Sequence, residues 1–131
     1  MFWFTRVRSN SMAPTLQDSR LALTRRLRRS TPIRRGDLVV VDSRALGKPM
    51  VKRIIGLPGE TVTIKAGKVR IDGRALEEPY ASLSVFTDTY RVPPDHYFLL
   101  GDNRDASSDS RTWRDPYVPR TAILGRILGV R

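Results

Sequence analysis

The side chains of this sequence that could perform nucleophilic chemistry begin with Ser11. It lies in the segment 9–16, Ser-Asn-Ser-Met-Ala-Pro-Thr-Leu, whose small polar residues and proline predict a tight loop with a hydroxyl at the surface. A serine hydroxyl becomes a nucleophile only when a neighbouring base removes its proton. Most serine-rich turns are only turns, so Ser11 requires a base from elsewhere in the chain.

That base would have to be His96 or one of the four lysines, because the pKa of arginine is too high for the role. His96 is the only histidine and lies where a loop meets a strand, a position typical of a structural or exposed side chain. Counting alone does not exclude a triad built on it. Lys48 precedes a proline in a turn, and Lys65 and Lys68 flank a hairpin turn, so these three are expected to be solvated and charged.

Lys52 differs because it lies inside the apolar run 51–55, and strand alternation places it on the same face as Ile54. Burial there would disfavour the ammonium form and lower the pKa of the lysine towards that of a general base. The same run also fits an edge strand in which Lys52 points to water and Arg53 faces inward. Periodicity does not decide between these two arrangements.

The segment 101–111, Gly-Asp-Asn-Arg-Asp-Ala-Ser-Ser-Asp-Ser-Arg, is a third concentration of polar side chains. A loop so rich in hydroxyls, carboxylates and guanidinium groups is costly to order without a purpose. Ser107 could hydrogen-bond a lysine amine, and Asp109 and Arg111 could form an ion pair that braces a site. The alternatives are a solvated loop or a cation site, although the spacing does not match an EF-hand calcium loop.

Short runs rich in β-branched and aromatic residues, separated by glycine and proline, would position these groups. They predict strands at residues 38–41, 50–55, 60–65, 68–72, 96–100 and 122–130. The third and fourth should form a hairpin around Ala66-Gly67, in which Val62 and Ile64 face Val69 and Ile71. The pattern predicts one mostly-β domain over residues 1–131, a sandwich or partly open barrel of short strands.

Two basic or aromatic segments remain open from the sequence. The segment 20–29 could be strand or helix. Met1–Phe4 could be a first strand, could insert at a membrane interface beside the arginines of segment 1–8, or could be the remnant of a truncated anchor. No stretch approaches the ~18 consecutive apolar residues that a membrane-spanning helix needs.

The composition restricts the chemistry and suggests partners. The absence of cysteine excludes disulfides and thiolate metal sites, and a single histidine argues against a histidine-rich one, so we expect no metal and no cofactor. The net charge is +11, and seven arginines with no acid lie between Arg20 and Arg35. This patch favours nucleic acid or an anionic lipid surface, or it is only a solvated basic face. Nucleic acid is the less expected partner, because aromatic residues make up only 8% of the chain and are not interleaved with the basic run.

The segments described above resemble, in order, the motifs of the type I signal peptidases, serine proteases that remove signal peptides from exported proteins. Residues 11–16 resemble the S-M-x-P-T-L nucleophile motif, and residues 36–41 the strand that follows it. Residues 52–60 resemble the K-R-x-x-G-L-P-G-D/E general-base motif, and residues 101–111 match G-D-N-R-x-x-S-x-D-S-R. The similarity covers residues 9 to about 125 and implies an all-β catalytic domain like that of the family.

The resemblance also implies roles for individual residues. Ser11 would be the nucleophile and Lys52 the neutral general base. The oxyanion hole would consist of the Ser11 backbone N–H and the Ser9 hydroxyl. Site support would come from four residues: Met12, Ser107, Asp109 and Arg111. The expected reaction is cleavage of pre-proteins after small residues, at sites resembling Ala-x-Ala.

Two departures from the family keep other functions open. Family members normally have N-terminal membrane anchors, whereas this chain begins about ten residues before Ser11. In addition, only about 40 residues separate Glu60 from Gly101, which is too few for the large accessory domain that some members have there. We expect a membrane-associated, extracytoplasmic enzyme that contacts anionic lipid through Met1–Phe4 and the Arg20–Arg35 patch. A soluble cytoplasmic processing protease with a dedicated substrate is one alternative, and a non-catalytic module that binds nucleic acid or anionic lipid is another. A self-cleaving relative is disfavoured because no DNA-binding domain is appended.

Overall fold

The mostly-β fold predicted from the sequence is confirmed by the computed structural model, which describes residues 1–43, 48–81 and 84–130. Short 3₁₀ helices cover Arg104–Ala106 and Arg120–Ala122. The strands are β1 (Phe2–Arg6), β2 (Leu21–Arg26), β3 (Leu38–Ser43), β4 (Lys48–Gly56), β5 (Thr61–Lys65), β6 (Lys68–Ile71), β7 (Arg74–Ala75), β8 (Asp88–Arg91), β9 (His96–Leu100), β10 (Tyr117–Pro119) and β11 (Ile123–Val130).

The strands form two antiparallel sheets, neither of which closes. The larger sheet has the order β1-β2-β11-β3-β4-β9-β10, and the smaller has the order β7-β6-β5-β8. Strand β4 therefore lies in the interior of the larger sheet, between β3 and β9. This placement is important for the site, because Lys52 lies in the middle of β4.

The continuous valine run of β3 reflects burial on both faces of the larger sheet. Val39 and Val41 belong to an apolar cluster on one face, together with Ile54. Val40 belongs to a cluster on the other face, together with Val51 and the methionine that follows Ser11. The loop containing Ser11 is thus attached to the sheet by its own apolar side chains.

The β5–β6 hairpin has the predicted register. Val62 lies opposite Ile71, and Ile64 lies opposite Val69. The turn at residues 66–67 has positive φ angles of 49° and 79°, as a tight turn between two strands requires. These apolar residues pack with Phe98 and Leu100 of β9, so the smaller sheet shares a core with the larger one.

Both segments whose structure the sequence left undecided form strands. Residues 2–6 form β1, and β2 (Leu21–Arg26) accounts for most of the segment 20–29. Thr5 lies opposite Ala22, which is fully buried, so one face of this ribbon turns to the core. Phe2 and Phe4 point to the other face and are exposed. Within the described ranges, no helix is long and apolar enough to cross a membrane.

Candidate active site

The fold brings Ser11 and Lys52 into direct contact. The Nζ atom of Lys52 lies 2.8 Å from the Oγ atom of Ser11. Lys52 is 3% exposed and Ser11 is 7% exposed. The structure thus decides between the two arrangements left open by the sequence: Lys52 points inward from an interior strand rather than to water from an edge.

Burial is also what makes Lys52 suitable as a base. It lowers the pKa of Lys52 from 10.5 to about 8, because the ammonium form loses its hydration. The nearby Asp109 carboxylate opposes this effect, the Arg111 guanidinium adds to it, and Asp102 opposes it to a lesser extent. A substantial share of Lys52 is therefore neutral at mildly alkaline pH.

The loop 101–111 supplies a second contact to the lysine. The Oγ atom of Ser107 lies 3.3 Å from Lys52 Nζ, and its hydroxyl donates to Asp109 at 2.8 Å. Asp109 is fully buried, accepts the backbone N–H of Gly101, and pairs with Arg111 at 2.9 Å. A Cβ atom on Gly101 would lie 2.0 Å from Ser107 Oγ, so only glycine allows Ser107 to approach the strand end this closely.

Ser9 lies beside Ser11 in the same loop. Its Oγ atom lies 3.3 Å from Ser11 Oγ and accepts the Ser11 backbone N–H at 3.4 Å. Ser9 has a φ angle of 138°, a strained value for a residue other than glycine. The Asp18 carboxylate accepts the Ser9 backbone N–H at 2.7 Å and thereby holds this conformation. No motif in the sequence indicates Asp18, whose only signal is a charge in an exposed turn.

Met12 anchors the loop and contributes to a cleft next to it. It is 1% exposed and packs with Val7, Leu16 and Val51. The cleft has a volume of about 230 Å³ and reaches both Ser11 and Lys52. Its walls come from three segments: residues 6–9 with 11 and 12, residues 49–52, and the pair Ala106 and Ser108.

Arg53, the neighbour of Lys52, also supports the site, a role that was not predicted from the sequence. Arg53 binds the buried Asp102 through two hydrogen bonds of 2.7 and 2.8 Å, and the Thr15 hydroxyl donates to the same carboxylate at 2.6 Å. The Arg53 guanidinium also stacks on the Tyr80 ring, 3.8 Å from its centroid. Asp102 thus connects the loop that contains Ser11, strand β4 and the loop 101–111.

A second ion pair that braces the site involves Glu78, which lies in a segment without any recognisable motif. The buried Arg104 forms an ion pair with both carboxylate oxygens of Glu78 and donates to the Gly101 carbonyl at 2.8 Å. The Tyr80 hydroxyl donates to the same Glu78 at 3.0 Å. Because Glu78 and Arg104 are 26 residues apart, no local pattern could have predicted the pair.

The other candidate bases lie elsewhere. His96 begins β9, whereas the site lies beyond the opposite end of that strand, about 16 Å away for five extended residues. Its Nδ1 atom lies 2.8 Å from the Pro94 carbonyl oxygen. Lys65 and Lys68 are exposed at the hairpin turn, as predicted, and the side chain of Lys48 lies outside the described part of the chain.

Comparisons with known proteins identify the family to which a chain with this fold belongs. The family described as signal peptidase, peptidase S26, matches residues 1–130, and the chain belongs to this family. The resemblance inferred from the motifs is therefore confirmed.

Individual relatives agree with this membership. Signal peptidase I of Leptolyngbya laminosa is 40% identical over 129 residues, which cover 90% of this chain and 63% of the relative. Signal peptidase I P of Bacillus subtilis subsp. natto is 37% identical over 118 residues, 80% of this chain and 63% of the relative. A crystal structure of a signal peptidase I from Enterococcus faecalis superposes with a TM-score of 0.66 at 30% identity, covering 73% of this chain and 97% of that one. The chain thus spans less than two thirds of the length of these curated relatives.

Proposed function

We propose that this protein is a serine endopeptidase that removes signal peptides from exported pre-proteins with a Ser11–Lys52 dyad. The observation that supports it best is the 2.8 Å contact between Ser11 Oγ and the Nζ atom of the buried Lys52. A lysine beside a serine hydroxyl, with a pKa lowered to about 8, can accept the hydroxyl proton without a histidine. The family membership supports the same reaction class.

The proposed reaction begins with neutral Lys52, which takes the proton of Ser11 as Oγ attacks the scissile carbonyl carbon. The carbonyl oxygen becomes an oxyanion, and the Ser11 N–H and the Ser9 hydroxyl donate hydrogen bonds to it. One such donor contributes ~3 kcal/mol of transition-state stabilisation. The lysine ammonium then protonates the leaving amine, the C–N bond breaks, and an acyl-enzyme on Ser11 remains.

Hydrolysis of the acyl-enzyme repeats these roles of Lys52, with water as the nucleophile and Ser11 as the leaving group. Neutral Lys52 takes a proton from water as the water oxygen attacks the ester carbonyl, and the ammonium returns a proton to Ser11 Oγ as the ester bond breaks. Ser107 keeps the amine aimed at the serine, since its Oγ lies 3.3 Å from Lys52 Nζ. Asp109 holds Ser107 in turn and is itself neutralised by Arg111.

The cleft is consistent with small residues on the substrate. Its volume of about 230 Å³ is small, and Met12, Val51 and Ala106 give it apolar walls. Burial of a methyl side chain against such walls is favourable, whereas a large side chain would have to displace the strand or the loop. We propose cleavage after the second alanine of Ala-x-Ala-like sites.

The exposed residues of β1 and β2 support a location at an anionic membrane surface, and the family membership supports an extracytoplasmic catalytic domain. Met1, Phe2 and Phe4 are exposed beside Arg25 and Arg26 of the Arg20–Arg35 patch. Aromatic side chains next to cations suit the interface of an anionic bilayer. Vesicle sedimentation tests this: binding should require anionic lipid and should weaken when Phe2 and Phe4 are both replaced by serine.

The cleavage test uses a peptide with one Ala-x-Ala site and mass spectrometry to locate the cut. We expect the wild type to cleave after the second alanine, and Ser11→Ala and Lys52→Ala to be inactive. Ser30→Ala and Lys65→Ala change exposed residues of the same types outside the site and should retain activity.

Three other outcomes would contradict the proposal in different ways. Cleavage by Ser11→Ala would exclude the dyad. Cleavage of only one natural protein, with no cut in the peptide, would favour a processing protease with a dedicated substrate. Failure of every variant on every substrate, together with salt-sensitive binding of oligonucleotide or anionic lipid, would favour a non-catalytic basic module.

A further inference from the structure

In the part of the chain that the structure describes, the cleft beside Ser11 is lined by charges of one sign only. Three cationic side chains, Arg6, Arg8 and Lys52, line it, and among the described residues no aspartate or glutamate does. Lys52 is assigned to the proposed reaction and is partly neutral in the working pH range. The two arginines have no part in that reaction, and each carries a cationic guanidinium group.

Strand alternation directs both arginines away from the core. Val7, which lies between them, is 4% exposed and packs against Met12, whereas Arg6 and Arg8 are exposed. Residues on either side of a buried residue in an extended segment point to the opposite face. The chain therefore presents two guanidinium groups at the rim of the cleft, immediately before Ser9.

The two arginines differ in what they already bind. Arg6 donates to the Ser19 carbonyl oxygen at 3.0 Å. Within the ranges that the structure describes, Arg8 has no hydrogen bond and no ion pair. Asp18 is the only acid among residues 1–36, and it already accepts the Ser9 backbone N–H and the Ser19 hydroxyl. Arg8 is thus the cation at the cleft that is available to a substrate.

We propose that Arg8, assisted by Arg6, selects substrates with an acidic side chain in the segment that occupies the cleft. This inference rests on the proposed protease function and adds a substrate class to it. An aspartate or glutamate near the cut would pair with the Arg8 guanidinium. The planar arrangement of its N–H donors matches the two oxygen atoms of a carboxylate. A basic substrate side chain would be disfavoured at the same position.

The expected effect is modest because Arg8 is exposed. An exposed ion pair should change kcat/KM by about two- to fivefold. Salt should reduce the effect, since charges in water are screened over about 8 Å at physiological ionic strength. A much larger preference would require a buried carboxylate partner, which this rim does not offer.

The test compares peptides that share one Ala-x-Ala site and have glutamine at all flanking positions. In each member of the series, aspartate replaces glutamine at one position before or after the cut. The measured quantity is the ratio of kcat/KM for the aspartate peptide to that for the glutamine peptide. It is measured in neutral detergent at low and at high salt and, separately, with anionic vesicles. The enzymes are the wild type, Arg8→Gln, Arg8→Lys and Arg29→Gln, the last being an exposed arginine outside the cleft.

We expect a ratio of about two to five at one or two positions for the wild type, falling towards one at high salt. Arg8→Gln should abolish that ratio, Arg8→Lys should retain most of it, and Arg29→Gln should leave it unchanged. A ratio near one at every position, or a preference that persists in Arg8→Gln, would overturn the inference. A preference seen only with anionic vesicles would overturn it in favour of a lipid contact. Failure to cleave even the glutamine peptide would refute the proposed function itself.

Discussion

Replacement of Lys52 by methionine should make the protein more stable while abolishing its activity. Lys52 is 3% exposed, and its pKa is lowered from 10.5 to about 8, chiefly by burial. At pH 7 the folded protein therefore holds an amine that is mostly protonated in an environment that disfavours the charge. Methionine has a similar length and no charge, so it removes this cost.

The magnitude follows from the two pKa values of Lys52. A lowering from 10.5 to about 8 corresponds to about 3 kcal/mol of folding free energy at pH 7. The unfolded chain binds the proton more tightly, so the free energy of unfolding of the wild type should increase with pH. Between pH 7 and 9.5 this increase should amount to about 2 kcal/mol.

Part of the gain is offset by lost contacts. Methionine cannot hydrogen-bond to Ser11 or Ser107. Each serine therefore loses its hydrogen bond with residue 52, at a cost of about 1 kcal/mol. The net stabilisation of Lys52→Met at pH 7 should thus be about 1–2 kcal/mol.

Urea denaturation at pH 7.0, 8.0, 9.0 and 9.5 measures both quantities. The pH range ends at 9.5 because burial raises the pKa of both Tyr80 and Tyr90. The neutral tyrosines stabilise the folded protein below about pH 10, and this stabilisation is lost at higher pH. Lys52→Met should be more stable than the wild type at pH 7, with a difference that shrinks as the pH rises. Lys65→Met, at an exposed position, should follow the wild type. A difference that does not change with pH would refute the claim that Lys52 is a buried amine with a lowered pKa.

Two further substitutions test the braces around the site. Glu78→Gln should lower the free energy of unfolding by about 3 kcal/mol, since it leaves the charge of Arg104 buried without its partner. Glu77→Gln, at the exposed neighbouring position, should have no such effect, and equal losses in both variants would contradict the assignment. Ser9→Ala should reduce kcat about 10²–10³-fold with little change in KM, as expected for a lost oxyanion donor. A similar loss in Ser30→Ala, or a change in KM alone, would argue against that role.

Most strands were predictable because their signals are local. The β5–β6 hairpin is encoded by alternating residues such as Val62 and Ile64 and by the turn at residues 66–67, so both its existence and its register followed from the sequence. The segment 20–29 was ambiguous since its arginines fit a helix surface as well as a strand edge. Its hydrogen-bonded pairing with β1 and β11, the latter about 100 residues away in sequence, makes it a strand.

The orientation of Lys52 could not be decided from β4 alone. Alternation allows either Lys52 or Arg53 to face inward, and the answer depends on which strands flank β4. The two ion pairs that brace the site could not be predicted from the sequence for the same reason. Glu78 meets Arg104, and Arg53 meets Asp102, only after the two sheets and the loop 101–111 have come together. The family motifs indicated where the site lies but not which distant residues hold it.

The dependence of kcat/KM on pH tests the Ser11–Lys52 dyad most directly. The assay uses an Ala-x-Ala peptide without titrating groups between pH 6 and 10, with Ser11→Ala as the blank. Because the base must be neutral to act, kcat/KM should rise about tenfold per pH unit below the pKa of Lys52 and level off above about 8. A profile that levels off near pH 6.5, the ordinary pKa of histidine, or activity that survives in Ser11→Ala, would contradict the account.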